Sequence, residues 1–130
     1  MAITFQKEDG TGLSTATSYI TVAELDQYME DAGLSLSLTT DDQKKVALNR
    51  MTNVLDSFAQ WPGGRASDDQ ALEWPRTYAR YNDGIEISSS IVPAEIKKAL
   101  AFFVYYSNQG TDVIPVREGA LVKSESAAIS

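Results

Sequence analysis

The chain has 130 residues, is 43% hydrophobic and carries a formal net charge of −7, which fits one domain with a modest core and argues against disorder throughout. It contains no cysteine and no histidine, so disulfides, thiolate chemistry and imidazole bases or ligands are excluded. Its 11 basic residues form no block and are outnumbered by 18 acidic ones, a balance whose overall field opposes nucleic acid.

The first residues, Met1 to Asp9, lack the basic region and apolar block of a signal peptide, and no apolar run is long enough to span a membrane. Residues 2 to 6 alternate, with Ile3 and Phe5 on one side, and predict a short strand. Glu8 to Gly12 predicts a turn in which the glycines supply positive φ. Thr21-Val22-Ala23-Glu24 has the form of a capping box, because the hydroxyl can take the Glu24 amide while the glutamate reaches back. Val22, Leu25 and Met29 then share a face, which predicts a helix over 22–31 stopped by Gly33. Leu34, Leu36 and Leu38 alternate with serines, a pattern that suits either a short strand or a loop.

A second capping box, Thr40-Asp41-Asp42-Gln43, precedes Ala47, Leu48, Met51, Val54, Leu55 and Phe58 at helical spacing. The expectation is a helix from 41 to about 59, broken by Trp61-Pro62-Gly63-Gly64. Asn82-Asp83-Gly84 is a turn, with a possible strand at 85–87. Pro93 suits the first position of a last helix, which Gly110 ends. That helix is apolar on all sides at 99–106, so it lies at the centre of the domain or meets a second subunit through Phe102, Phe103, Tyr105 and Tyr106. Beyond it, residues 111–130 read as an extended arm whose Val113, Ile114, Val116, Leu121 and Val122 are apolar enough to dock on a neighbour. The fold class expected is therefore mainly α: one domain of three main helices over 1–110, with short extended segments, followed by the arm.

The stretch from Arg65 to Arg76 joins the second and third helical patterns and cannot itself be a regular helix, because Pro75 lacks a donor and pushes Trp74 out of the α region. Leu72 and Trp74 point to one side of an extended chain, leaving Gln70, Glu73 and Arg76 for polar contacts. Such a segment acts as a structural wedge: Gln70, Leu72, Trp74, Pro75 and Arg76 close over the helices.

Sites of chemistry are few. Gly63-Gly64-Arg65 lacks the Lys-Ser or Lys-Thr of a phosphate loop and reads as a turn. Asp68, Asp69 and Glu73 could pair or hold a cation, but adjacent acids in a polar loop are ordinarily solvated. No serine has a base to activate it, so neither an enzyme nor a cofactor is expected. Trp74, Tyr78 and Tyr81, interleaved with Arg76 and Arg80, are the residue types of a single-strand DNA binder, in which rings stack on bases and cations hold phosphates. The plainer alternative is that Trp74 is core and the arginines pair locally.

Several runs together resemble the adaptor-type head–tail connector proteins of tailed bacteriophages. They are Gly10-Thr11-Gly12, Ser18-Tyr19-Ile20, Ala47 to Thr52, Gly64-Arg65, Gln70 to Arg76, and Ile91-Val92-Pro93. The resemblance spans roughly residues 8 to 110, and Gln-x-Leu-x-Trp-Pro-Arg is its most specific part. It implies a small helical domain and a structural virion protein at the neck, about twelve copies of which form a ring. The ring would dock on the portal through its C-terminal segment and link it to the next connector, stopper or tail protein, with duplex DNA passing through the lumen without sequence-specific contact. Some members of this group are labelled DnaT-like single-strand DNA-binding proteins, which keeps a DNA-binding module as the alternative.

Overall fold

The structure, a computed structural model, describes residues 3–109. Three helices carry the architecture: α1 (Val22–Asp31), α2 (Asp41–Phe58) and α3 (Ala94–Asn108). Two short strands, β1 (Gly64–Arg65) and β2 (Arg76–Thr77), pair antiparallel between α2 and α3, with Gly64 opposite Thr77 and Arg65 opposite Arg76. The protein is a small, mainly α domain, as its capping and periodicity predict.

Both capping boxes form. The Thr21 hydroxyl accepts from Glu24 N–H at 3.1 Å while Glu24 Oε1 takes Thr21 N–H at 2.9 Å. Thr40 and Gln43 repeat the arrangement at the start of α2. Each box satisfies amide donors that a helix start leaves without partners. Helix α2 packs most extensively on α3, and α1 touches both. The buried faces are Leu25 and Met29 of α1, Leu48, Met51 and Leu55 of α2, and Ile96, Leu100, Ala101 and Val104 of α3. Tyr19, Ile20, Leu72 and Trp74, which lie outside the helices, complete the core.

Several expectations are corrected. Residues 3–6 form no strand: Ile3 and Phe5 are half-buried in alternation, but among the described residues no strand pairs with them, and the nearest bridge is the isolated Lys7–Ser18 pair. Residues 34–38 take the second of their two expected forms, a loop, with the leucines half-buried. At 85–87 only Glu86 bridges, to Arg80. Phe58 is exposed because it closes the last turn of α2, where the chain swings away; Thr52 is buried on that helix instead. Pro93 is the N-cap of α3 rather than its first residue, since its ψ of 147° is extended; its carbonyl accepts from Ile96 and Lys97 N–H. Helix α3 ends on Asn108 with Gln109 as its cap, ahead of Gly110. Gly110 itself and the arm residues Val113, Ile114, Val116, Leu121 and Val122 lie outside the described residues. No helix among the described residues is long and apolar enough to cross a membrane.

The loop before α1 is held by a buried acid. One Glu8 carboxylate oxygen accepts from Gly10 and Gly12 N–H at 2.9 and 2.8 Å, and the other from Leu13 N–H at 2.9 Å. Gly10 is obligatory there: its φ is +101°, and a Cβ would meet Ser90 O at 2.1 Å.

Candidate functional site

The wedge folds as a chain of polar latches around Trp74. Gln70 is buried, and its amide donates to Leu72 O at 2.8 Å and Pro75 O at 2.9 Å while its oxygen accepts from Ser67 N–H at 2.9 Å. Arg76, 7% exposed, donates to Pro62 O (2.8 Å), Gly63 O (3.1 Å), Glu73 O (3.1 Å) and Glu73 Oε1 (2.8 Å). The Trp74–Pro75 peptide bond is cis, and both residues are buried. Gln70, Leu72, Trp74, Pro75 and Arg76, five residues read as a structural unit from sequence, are therefore brought together.

The wedge is fastened to α2 by a buried relay. Trp74 N–H donates to the Tyr19 hydroxyl at 3.2 Å, and that hydroxyl donates to Asp56 Oδ1 at 2.7 Å. Asp56 Oδ2 also accepts from Glu73 N–H at 3.2 Å. Burial, followed by the Asp56 charge, pushes the Tyr19 phenol far above its ordinary range, so it stays a neutral donor. Burial also raises the Asp56 carboxyl, against the opposing pull of its hydrogen bonds from Tyr19 and Glu73.

The aromatic–arginine set splits. Trp74 and Arg76 are inside, and Arg76 pairs with Glu73, as the plainer alternative holds. Tyr78 is 83% exposed and sits at φ 61°, a left-handed conformation uncommon for a residue with a side chain. Arg80 is exposed and donates to Gly84 O at 2.8 Å, on the turn that Tyr81 N–H closes to Ile85 O at 2.8 Å. Phe102, Phe103 and Tyr105 are half-buried against the core of their own chain, while Tyr106 is exposed. Asp68 and Asp69 are exposed, and no group of three or more potential ligands among the described residues is arranged to hold a metal.

What sequence reading misses is Trp61, treated only as part of a helix break. Its ring meets Trp74 edge to face, with centroids 5.6 Å apart and planes at 77°. Trp61, Trp74 and Tyr81 line an open cleft of about 820 Å³, flanked by Arg80, Asn82 and Glu95. The end of α2, the 80–87 turn and the start of α3 form its walls. The two indole N–H groups have no hydrogen-bond acceptor and are shielded from solvent, so a ligand reaches ring faces and edges rather than those donors. A tryptophan three residues beyond a helix end, followed by proline, is a visible signal, but its partner Tyr81 lies twenty positions on and nothing local joins them. Aromatic walls with a few polar groups suit a flat, partly polar ligand.

A family model described as "Putative DnaT-like ssDNA binding protein" matches residues 3–129. No curated protein and no solved structure gives a match. Since the match covers nearly the whole chain, this protein belongs to the family so described.

Proposed function

We propose that this protein binds single-stranded DNA, with bases held against the aromatic lining of the cleft between the end of α2 and the start of α3. The observation that carries the reading is that the half-buried Trp61 and Tyr81 open on one cleft, backed by the buried Trp74 and with Arg80 beside them. Family membership supports it. Stacking of a base on an aromatic side chain contributes about 1–3 kcal/mol and tolerates any sequence. Phosphate contacts add little here, because Arg80 is the one basic side chain lining the cleft among the described residues and the chain is acidic. The role is binding rather than catalysis, in a chain without histidine or cysteine.

A titration of the full chain with oligothymidylate, followed by tryptophan fluorescence at low and moderate salt, tests this. Quenching with a shallow salt dependence is expected: each cation on a single strand contributes a log–log slope of about −0.7, and one is available. Tyr81→Ala weakens binding. No quenching at low salt removes the reading.

A second reading, the ring subunit of a bacteriophage neck, is favoured by the apolar surface that the helices leave uncovered. Val46 and Phe58 of α2 and Tyr106 of α3 are exposed, and a neighbouring copy would cover such residues. In that reading Phe102, Phe103, Tyr105 and Tyr106 face a neighbouring subunit. The arm docks on the portal, and the protein resides in the virion at the head–tail junction, with no membrane involved. Quantifying the chain against the portal in purified particles decides it: a ratio near parity supports a connector, and absence from the particle sinks it.

A further inference from the structure

Resting on the single-strand reading, we infer that the cleft is a guanine-reading subsite, in which Glu95 accepts hydrogen bonds from the base edge while the aromatic rings hold its face. The polar lining does not suit phosphate. It carries two carboxylates, Asp83 and Glu95, against one guanidinium. Asp83 Oδ1 already takes Ile85 N–H at 3.0 Å within its own turn. Glu95, in the first turn of α3, joins none of the ion pairs among the described residues and is exposed beside the cleft. A carboxylate at neutral pH only accepts hydrogen bonds, and its two oxygens favour a ligand with two adjacent donors. Among the four bases guanine alone presents such a pair on one edge, its N1–H and exocyclic N2–H. Adenine and cytosine offer one amino group beside an acceptor, and thymine a single N–H between two carbonyls, so each sets an acceptor against a carboxylate oxygen. Guanine is also a purine, with the larger face for stacking on Trp61 or Tyr81. Glu95, which would repel a strand's phosphates, thus becomes the group that reads a base.

The same edge is presented by a guanine in a strand and by free deoxyguanosine. The test uses the full chain and its own fluorescence, since both tryptophans of the sequence line the cleft. The probes are oligothymidylate, the same strand with one central guanine, the same strand with one central adenine, and deoxyguanosine. The guanine strand is expected to bind at least about fivefold tighter than the other two strands, the discrimination of one good bidentate contact. Glu95→Gln, which replaces one acceptor oxygen by a donor, brings the three strands to within about twofold. Circular dichroism and urea melts check that this exposed substitution leaves the fold intact. Deoxyguanosine quenching with weaker affinity than the guanine strand fits a strand subsite; equal affinity keeps the guanine pocket and makes the free nucleoside its ligand. Measurable but equal binding of all three strands overturns the guanine inference and leaves single-strand binding standing. A preference that survives Glu95→Gln overturns the role of Glu95, and no binding by any probe overturns both readings.

Discussion

Arg76→Ala is the substitution in which the latch geometry has most to lose. The guanidinium sits almost wholly inside and holds three backbone carbonyls, those of Pro62, Gly63 and Glu73, together with the Glu73 carboxylate. The Glu73 side chain is 40% exposed, so the ion pair itself contributes at most about 1 kcal/mol. The larger part is the carbonyls: those of Pro62 and Gly63 lie on exposed residues and that of Glu73 on a half-buried one, so each loses a charge-assisted hydrogen bond of about 1.5–3 kcal/mol that water replaces in part. Partial rehydration brings the expected loss to about 3–5 kcal/mol, a large share of the total stability of a domain of this size. Arg76→Lys retains the charge but offers a compact ammonium in place of a fork, and should lose about 2 kcal/mol. The assay is urea unfolding followed by tryptophan fluorescence, with the slope compared to confirm that the denatured state is unchanged. A loss under about 1 kcal/mol for Arg76→Ala, at constant slope, would refute the claim that this side chain fastens the wedge. The alanine variant adds a functional control wherever it remains folded. If Arg76 contacted phosphate, removing its charge would make the salt dependence of DNA binding shallower; its burial predicts no such change.

Two further outcomes follow from the geometry. Asp56 has a raised carboxyl pKa in the folded state, so its contribution to stability is fully present below the ordinary aspartate value of 3.8 and is lost as pH rises through the raised one. Relative to Asp56→Asn, the native protein should therefore gain stability as pH falls through that window, and a relative loss in paired urea melts would contradict the burial of this carboxyl. Gly63 and Gly64 are neighbours with opposite tolerance: a Cβ at Gly63, where φ is +73°, meets Thr77 O at 2.0 Å, whereas one at Gly64 meets nothing within 4 Å. Gly63→Ala should cost more than about 1 kcal/mol and Gly64→Ala under about 0.5, and equal melting temperatures would mean the β1–β2 contact is looser than described.

The helices were legible because their signals are local. A threonine followed three residues later by Glu24 or Gln43 marks a start that forms whatever lies elsewhere, and an apolar stripe reports its own buried face. The wedge was legible for a related reason: cis or trans, a Trp-Pro pair between helices cannot join either one, and a bulky ring must be covered. Strand expectations failed where alternation was present without a partner, as at Ile3 and Phe5, since pairing is a property of two segments. The cleft was illegible because Trp61, Tyr81 and Glu95 belong to three separate segments, the residues after α2, the 80–87 turn and the start of α3, which only the folded chain brings together. The buried Glu8 was half-legible. An acid followed by Gly10 and Gly12 reads as a turn, but that its carboxylate would act as an internal anion for three converging amides depends on the whole loop closing.

That loop should behave unlike a loop in hydrogen exchange. The amides of Gly10, Gly12 and Leu13 belong to no helix or strand, yet all three point at one buried carboxylate, and Gly10 lies against the backbone of Ser90 far along the chain. Releasing one of them frees the others and parts the N-terminal segment from the segment that precedes α3. Their deuterium uptake should then be concerted and slow, set by the opening of the whole domain rather than by local fraying. A segment without regular structure would thereby belong to the most protected unit of the molecule, and the entry to α1 would be as fixed as the helix itself.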